Sequence, residues 1–246
     1  MIDIESSHCN YVKMNHGPET ISVTSFVGAL PTIPKYIEWK YTMRRSMQEI
    51  IPGVFLGPHA AAMKSHLDTL MNNGITHIIC VRQDLESHFI RPHFVDKFKY
   101  LILNIADSVN ENIIPHFAKV KQFIEECLSL GGKVLIHGNS GISRSATLVL
   151  AYIMQKFGLS CREAYVLVKN RRYCINPNEG FVAQLVEFEP IYRAQQTLQH
   201  GQSSTSNSLS KKRKAEQLDI DSDMLPIPPP PSPVSGDVDI MDVCFT

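Results

Sequence analysis

Along positions 44–196, short apolar blocks alternate between two periods. GVFLG (53–57), ITHIICV (75–81), YLILNIA (100–106) and KVLIH (133–137) are brief, β-rich runs and predict strands. KVLIH is apolar on both faces, as a central buried strand must be. Between these runs the spacing becomes helical: over 59–72, stopping at Gly74, and over 112–130, where Phe117, Val120, Ile124, Cys127 and Leu128 share a face before Gly131-Gly132. The stretch 143–157 is nearly all apolar and predicts a buried helix. Ser160 with Glu163 forms a capping box for a helix over 161–172. Asn176 and Pro177 supply the N-cap and first-turn proline of a last helix ending near 194. No internal repeat interrupts this order. Alternating strands and helices predict an α/β domain with a largely parallel sheet, and its binding crevice belongs at the carboxyl ends of the strands.

Composition sets the limits of that domain. Beyond residue 197 the chain turns rich in Ser, Asp and Pro and poor in aromatics, so 198–246 is expected to be disordered. The segment 1–43 lacks a sustained period and is expected to be loosely ordered, leaving 44–197 as the domain. A formal net charge of +0 offers no bulk attraction to nucleic acid or an anionic membrane. No apolar run is long enough to span a bilayer. The N-terminal MIDIESSHCN has no secretory pattern, and Cys244 in the terminal VCFT is one place too late for prenylation. The cysteines at 9, 80, 127, 161, 174 and 244 form no C-x-x-C pair, so neither a disulfide framework, a metal site nor any other cofactor is expected. The expected setting is reduced, cytoplasmic and nuclear, and the expected state a monomer. KKRK (211–214) suits a nuclear localisation signal or simple solvated charge. PIPPPPSP (226–233) suits a polyproline II ligand, with Ser232 a proline-directed phosphorylation site, or a spacer.

The chemistry concentrates in HGNSGISRS, residues 137–145, between the last strand and the buried helix. Gly138 and Gly141 permit dihedrals that other residues resist. Successive N–H groups of Gly138, Asn139, Ser140, Gly141, Ile142 and Ser143 can converge as an anion nest. The helix N-terminus adds roughly half a positive charge. Arg144 offers two parallel donors matched to two phosphate oxygens. The plain alternative is a glycine-bearing turn with Arg144 solvated or paired to a core carboxylate.

The order strand, H-G-x-x-G-x-x-R-S, helix resembles the H-C-x-x-G-x-x-R signature of cysteine-dependent protein tyrosine phosphatases, in their small dual-specificity branch. The likeness runs from MRRSMQEIIPGVFLG through GITHIICV, NIADSVNENI and GGKVLIHGNSGISRSATLVLAYIM to RRYCINPNEGFVAQL. It implies a three-layer phosphatase-like fold around a twisted, largely parallel sheet. It also implies that Gly138 stands where the family has its nucleophilic cysteine and Asp107 where it has its general acid, so no catalytic residue set is complete. His137 and Ser145 match residues that order the loop and stabilise the thiolate in active relatives. Here His137 is expected to satisfy backbone groups behind the loop and Ser145 to cap the helix. No basic side chain is positioned by sequence to activate Ser140 or Ser143, and Cys127 and Cys161 fall on apolar helix faces.

The function implied by the resemblance is a catalytically inactive binder of Ser/Thr/Tyr-phosphorylated proteins, competing with phosphatases or anchoring kinases such as MAP kinases. A second implied reading is a phosphate-independent scaffold for an F-box subunit of a ubiquitin ligase; a third is a residual phosphatase. No room exists between 44 and Asp107 for pocket-deepening insertions, so the cleft is expected to be shallow and to accept all three phosphoresidues.

Overall fold

The computed structural model describes residues 38–212. A short 3-10 turn, Tyr41–Arg45, leads into five strands: β1 (Gln48–Ile51), β2 (Val54–Pro58), β3 (Ile75–Arg82), β4 (Lys99–Asn104) and β5 (Lys133–Gly138). They form one sheet in the order β1-β2-β5-β3-β4, parallel throughout except for the antiparallel β1–β2 edge. The expected strands all form. The strand missed is β1, too short for its alternation to be read.

The helices are α1 (Leu67–Asn72), α2 (Phe117–Ser129), α3 (Arg144–Phe157), α4 (Cys161–Arg171) and α5 (Glu179–Lys212). The helix expected over 59–72 is broken: two 3-10 turns, His59–Ala62 and Lys64–His66, precede a short α1. Ser160 caps α4 as expected, its hydroxyl accepting from the Glu163 N–H while Glu163 accepts from the Ser160 N–H. The last helix starts later than expected. Asn178, not Asn176, is its cap, accepting from the Phe181 N–H at 2.9 Å, whereas the Asn176 N–H goes to the Ile142 carbonyl. Phe181, Leu185, Phe188 and Tyr192 bury one face of α5. The backbone then continues helical through Pro190 to Lys212, well past 194, because propagation from a nucleated helix adds one hydrogen bond per residue. That stretch includes residues assigned by composition to a disordered tail. The rest of that tail, including Arg213 and Lys214 of the KKRK quartet and the proline run, lies outside the described residues, as does 1–37.

The sheet is covered on both faces. Val54, Leu56, Ile79, Val81, Val134 and Ile136 face one core with α2 to α5; Phe55, Ile75, Ile78 and Leu135 face a smaller one with Leu70, Phe94 and Phe98. Handedness explains the division. The β2-to-β3 and β4-to-β5 connections step in opposite directions across the sheet, so right-handed crossovers place α1 and α2 on opposite faces. Strand β5 lies between β2 and β3, and the segments leaving β2, β3, β4 and β5 emerge together at the carboxyl edge.

Candidate functional site

The segment 138–144 turns back over the end of β5, and its backbone polarity is sorted. The Asn139 carbonyl accepts from the His59 N–H, Ile142 from the Asn176 N–H, and Ser143 from the Thr147 N–H and hydroxyl. The Ser140 and Gly141 carbonyls accept from Arg172 at 3.0 and 2.9 Å. The carbonyls of 139–143 are thus all tied outward. No acceptor among the described residues takes an N–H from residues 139–144. Backbone donors sorted this way, at the head of a 14-residue helix, are what an anion nest with a macrodipole behind it requires.

Only one of the two glycines is there for its conformation. Gly141 has φ +67, and a Cβ on it would sit 2.3 Å from the Gly57 carbonyl oxygen, so no other residue fits. Gly138, expected to use the same freedom, does not have a positive φ. A Cβ there would meet Ser145 Oγ at 3.3 Å and the Val81 carbonyl at 3.6 Å, a tight but accommodating space. Ser145 does not cap the helix as expected, because it lies inside α3, one residue past Arg144. Its hydroxyl is buried and has no hydrogen-bond partner among the described residues, beside the spot a side chain at 138 would fill. His137 is wholly buried, and its Nδ1 lies 3.4 Å from the Gly138 carbonyl, a weak contact behind the loop. Burial, with His59 nearby, pushes its imidazolium pKa down to about 3, so it is neutral at ordinary pH.

Arg144 is almost fully buried and uses one edge of its guanidinium for structure. Nη1 and Nη2 donate to the two oxygens of Glu86 at 2.5 and 2.9 Å, and Nη1 also to the Ile105 carbonyl at 3.1 Å. Five N–H donors are available on this group. Nε and the second Nη2 hydrogen, which form the other edge, have no hydrogen-bond acceptor among the described residues. The core-carboxylate pairing and the phosphate fork are therefore compatible, each taking one edge. Burial alone would raise the Glu86 pKa, but hydrogen bonds from Arg144 and the Gln83 N–H, with the Arg144 charge, hold it below its ordinary value.

Asp107 stands at the rim. Its Oδ1 accepts from the Ser143 hydroxyl at 2.6 Å and from Asn178 Nδ2 at 2.9 Å, and Oδ2 lies 3.8 Å from Arg144 Nε. A carboxylate therefore does face Ser143, contrary to the reading that no base reaches a loop serine. Ser143 is the residue preceding α3, on the rim with Asp107, while the floor of the nest at 138 carries no side chain. Burial raises the thiol pKa values of Cys80, Cys127 and Cys161, the first and last to about 11, away from the thiolate form.

Three residues essential to this geometry escape sequence reasoning. Glu86 sits in a 3-10 turn where QDLE reads as a local capping box, with no sign of a distant arginine. Arg172 follows α4 and is fully buried. Besides the two loop carbonyls it bonds the Ser46 and Arg44 carbonyls at 2.9 and 3.1 Å and the Gln48 side chain. Asn178 follows Pro177, whereas the sequence pattern favours a cap that precedes its proline, as Asn176 does.

Comparison with known proteins agrees with this fold. The family described as dual specificity phosphatase, catalytic domain, matches residues 54–191. The human serine/threonine/tyrosine-interacting protein is 59% identical over 162 residues, covering 66% of this chain and 73% of its own. Human dual specificity protein phosphatase 22 is 36% identical over 165 residues, covering 65% of this chain and 85% of its own. The crystal structure of the human tyrosine phosphatase-like serine/threonine/tyrosine-interacting protein superposes with a TM-score of 0.60, covering 60% of this chain and 98% of that one.

Proposed function

We propose that this chain, which belongs to the dual-specificity phosphatase family, is a non-catalytic member that binds phosphorylated Ser, Thr or Tyr on other proteins. The observation carrying this reading is the nest itself: N–H donors at 139–144 without acceptors among the described residues, beside an open guanidinium edge. Asn139 and Ser140 are exposed while Gly141 and Arg144 are buried, so the donors open to solvent at a place where an anion can enter and complete them. The name of the 59% identical relatives, serine/threonine/tyrosine-interacting protein, supports the same reading.

What the loop lacks is the attacking atom. In a phosphatase of this type a thiolate attacks phosphorus while loop donors hold the equatorial oxygens and an acid protonates the departing oxygen. Gly138 offers hydrogen instead, and the unpartnered Ser145 hydroxyl is what remains of the support for a sulfur. Binding need not suffer, because no negative charge on the floor opposes the phosphate dianion. A five-atom phosphoryl group yields at most about 7 kcal/mol, an affinity near 10 μM, so tight recognition needs protein surface around the nest.

The test measures phosphotyrosine-peptide binding and phosphate release on the full chain. The unaltered protein should bind and release nothing. Arg144→Met, combined with Glu86→Gln so that no charge is left unpaired, should abolish binding while keeping the fold by circular dichroism. Gly138→Cys should gain phosphate release, because the Cβ fits and Asp107 and Arg144 are in place. Binding indifferent to Arg144, or turnover by the unaltered chain, would refute this function.

A further inference from the structure

Three imidazoles pack in sequence behind the loop 138–144, with His59 in the middle. The His59 ring, the first past β2, has its centre 5.9 Å from that of His137 on β5 and 6.0 Å from that of His93. Phe89 closes a further side of His59, edge-on, at 6.4 Å. His59 Nε2 is buried and has no hydrogen-bond partner among the described residues. Two cations act on His93, Lys64 from the turn before α1 and Arg91 from the segment between β3 and β4. None of these five basic residues forms a salt bridge among the described residues. Nor is any group of three or more His, Cys, Asp or Glu side chains among the described residues placed to hold a metal ion.

These rings are more easily kept neutral than charged. Burial is the largest cause and holds the pKa of His59 and His93 below the ordinary 6.5; the positive neighbours lower them further. His137, at about 3, stays neutral throughout, which leaves His59 and His93 as the pair that mild acid can reach. That pair has a route to the loop. The His59 N–H donates to the Asn139 carbonyl at 3.0 Å, one of the contacts that tie the loop carbonyls outward. A charged imidazole at 59 must move toward water, and the backbone bearing it is the backbone that holds Asn139. Once freed, the Asn139 carbonyl can turn its oxygen inward, where it opposes an anion.

We propose that His59 and His93 are a proton-operated release for the loop 138–144: mild acid charges the pair, His59 leaves its place, and the loop lets its phosphate go. The proposal rests on the phosphate-binding reading of the nest. Its sign follows from the lowered pKa values. The arrangement that holds the loop excludes protons, so it is fully populated above pH 6.5 and is lost as pH falls below that value toward the lower native ones. An imidazolium would also attract an anion, but only while the ring keeps its buried place, which is the state that burial disfavours.

The probe is inorganic sulfate, whose own charge is constant over the range, titrated into the full chain while the amide signals of 139–144 are followed by NMR. Its dissociation constant should rise about fivefold from about pH 7.5 to about pH 5.5. His59→Gln with His93→Gln, which keep every backbone N–H, should flatten that profile. His116→Gln, just ahead of α2, should leave it steep. The imidazole signals give a second reading that needs no variant: saturating sulfate should move the His59 and His93 titrations to lower pH, because binding and protonation exclude each other. An affinity that stays flat or tightens in acid, a profile that survives the double substitution, or imidazole titrations indifferent to sulfate would each overturn the release and leave the nest standing. If neither sulfate nor a phosphotyrosine peptide binds at about pH 7.5, the nest reading fails and this inference with it.

Discussion

At the residue scale, the informative contrast is between two glycines three positions apart. Gly141 is fixed by a positive φ and by the Gly57 carbonyl pressed against it; Gly138 is fixed by neither. The backbone therefore does not require glycine at 138, and its presence there is a matter of chemistry. Arg144 presents a parallel case, with one edge committed to Glu86 and the other open. That buried pair predicts a pH signature. Because the Glu86 pKa is depressed in the fold, its stabilising contribution is complete above the ordinary value of 4.5 and is lost as pH falls through the lower native value. Glu86→Gln should cost about 3–5 kcal/mol near neutral pH, since it strands a buried guanidinium. Urea unfolding should show this deficit narrowing below pH 4.5 as the wild-type carboxyl protonates. A deficit that stays constant on acidification would mean that the Glu86 charge contributes nothing to the fold.

At the element scale, the loop is held from outside by the ends of other elements. Arg172, just past α4, is the largest such restraint, bonding two loop carbonyls and the segment that leads into β1. Arg172→Met should lower stability by about 3 kcal/mol or more, because several buried carbonyls lose their donor together. It should also weaken phosphopeptide binding as the nest relaxes. Asn178→Ala removes an α5 cap and one Asp107 contact, so it should cost only about 1 kcal/mol and leave binding in place. Thermal melts of both variants, read beside peptide titrations, check the ordering; a larger loss from Asn178→Ala would contradict it. Part of this level was legible beforehand. Ser160 with Glu163 announced α4 because a capping box is a contact between neighbours in sequence. Asn176 was mistaken for Asn178 because two asparagines flank Pro177, and only packing against Asp107 and Phe181 decides between them.

At the scale of the whole molecule, the sheet order brings four loops to one edge. Glu86 comes after β3, Asp107 after β4, Arg144 after β5, and His59 at the end of β2 backs the loop through its N–H. A site assembled from four loops couples binding to global stability. Inorganic phosphate at about 100 times its dissociation constant should add about 2.7 kcal/mol and raise the melting temperature accordingly. The double variant Glu86→Gln, Arg144→Met should show no such rise. A phosphate-independent melting temperature in the unaltered chain would contradict an assembled nest.

By itself the sequence determined four of the five strands, the buried helix α3, the α/β class and the loop 138–144, because periodicity, capping and glycine punctuation act between residues close in the chain. Tertiary structure alone decided that Glu86 faces Arg144, that Arg172 supports the loop, and that Asp107 leans on Ser143. Each of those pairings joins residues far apart in sequence, and nothing local encodes which distant partner a buried charge will meet.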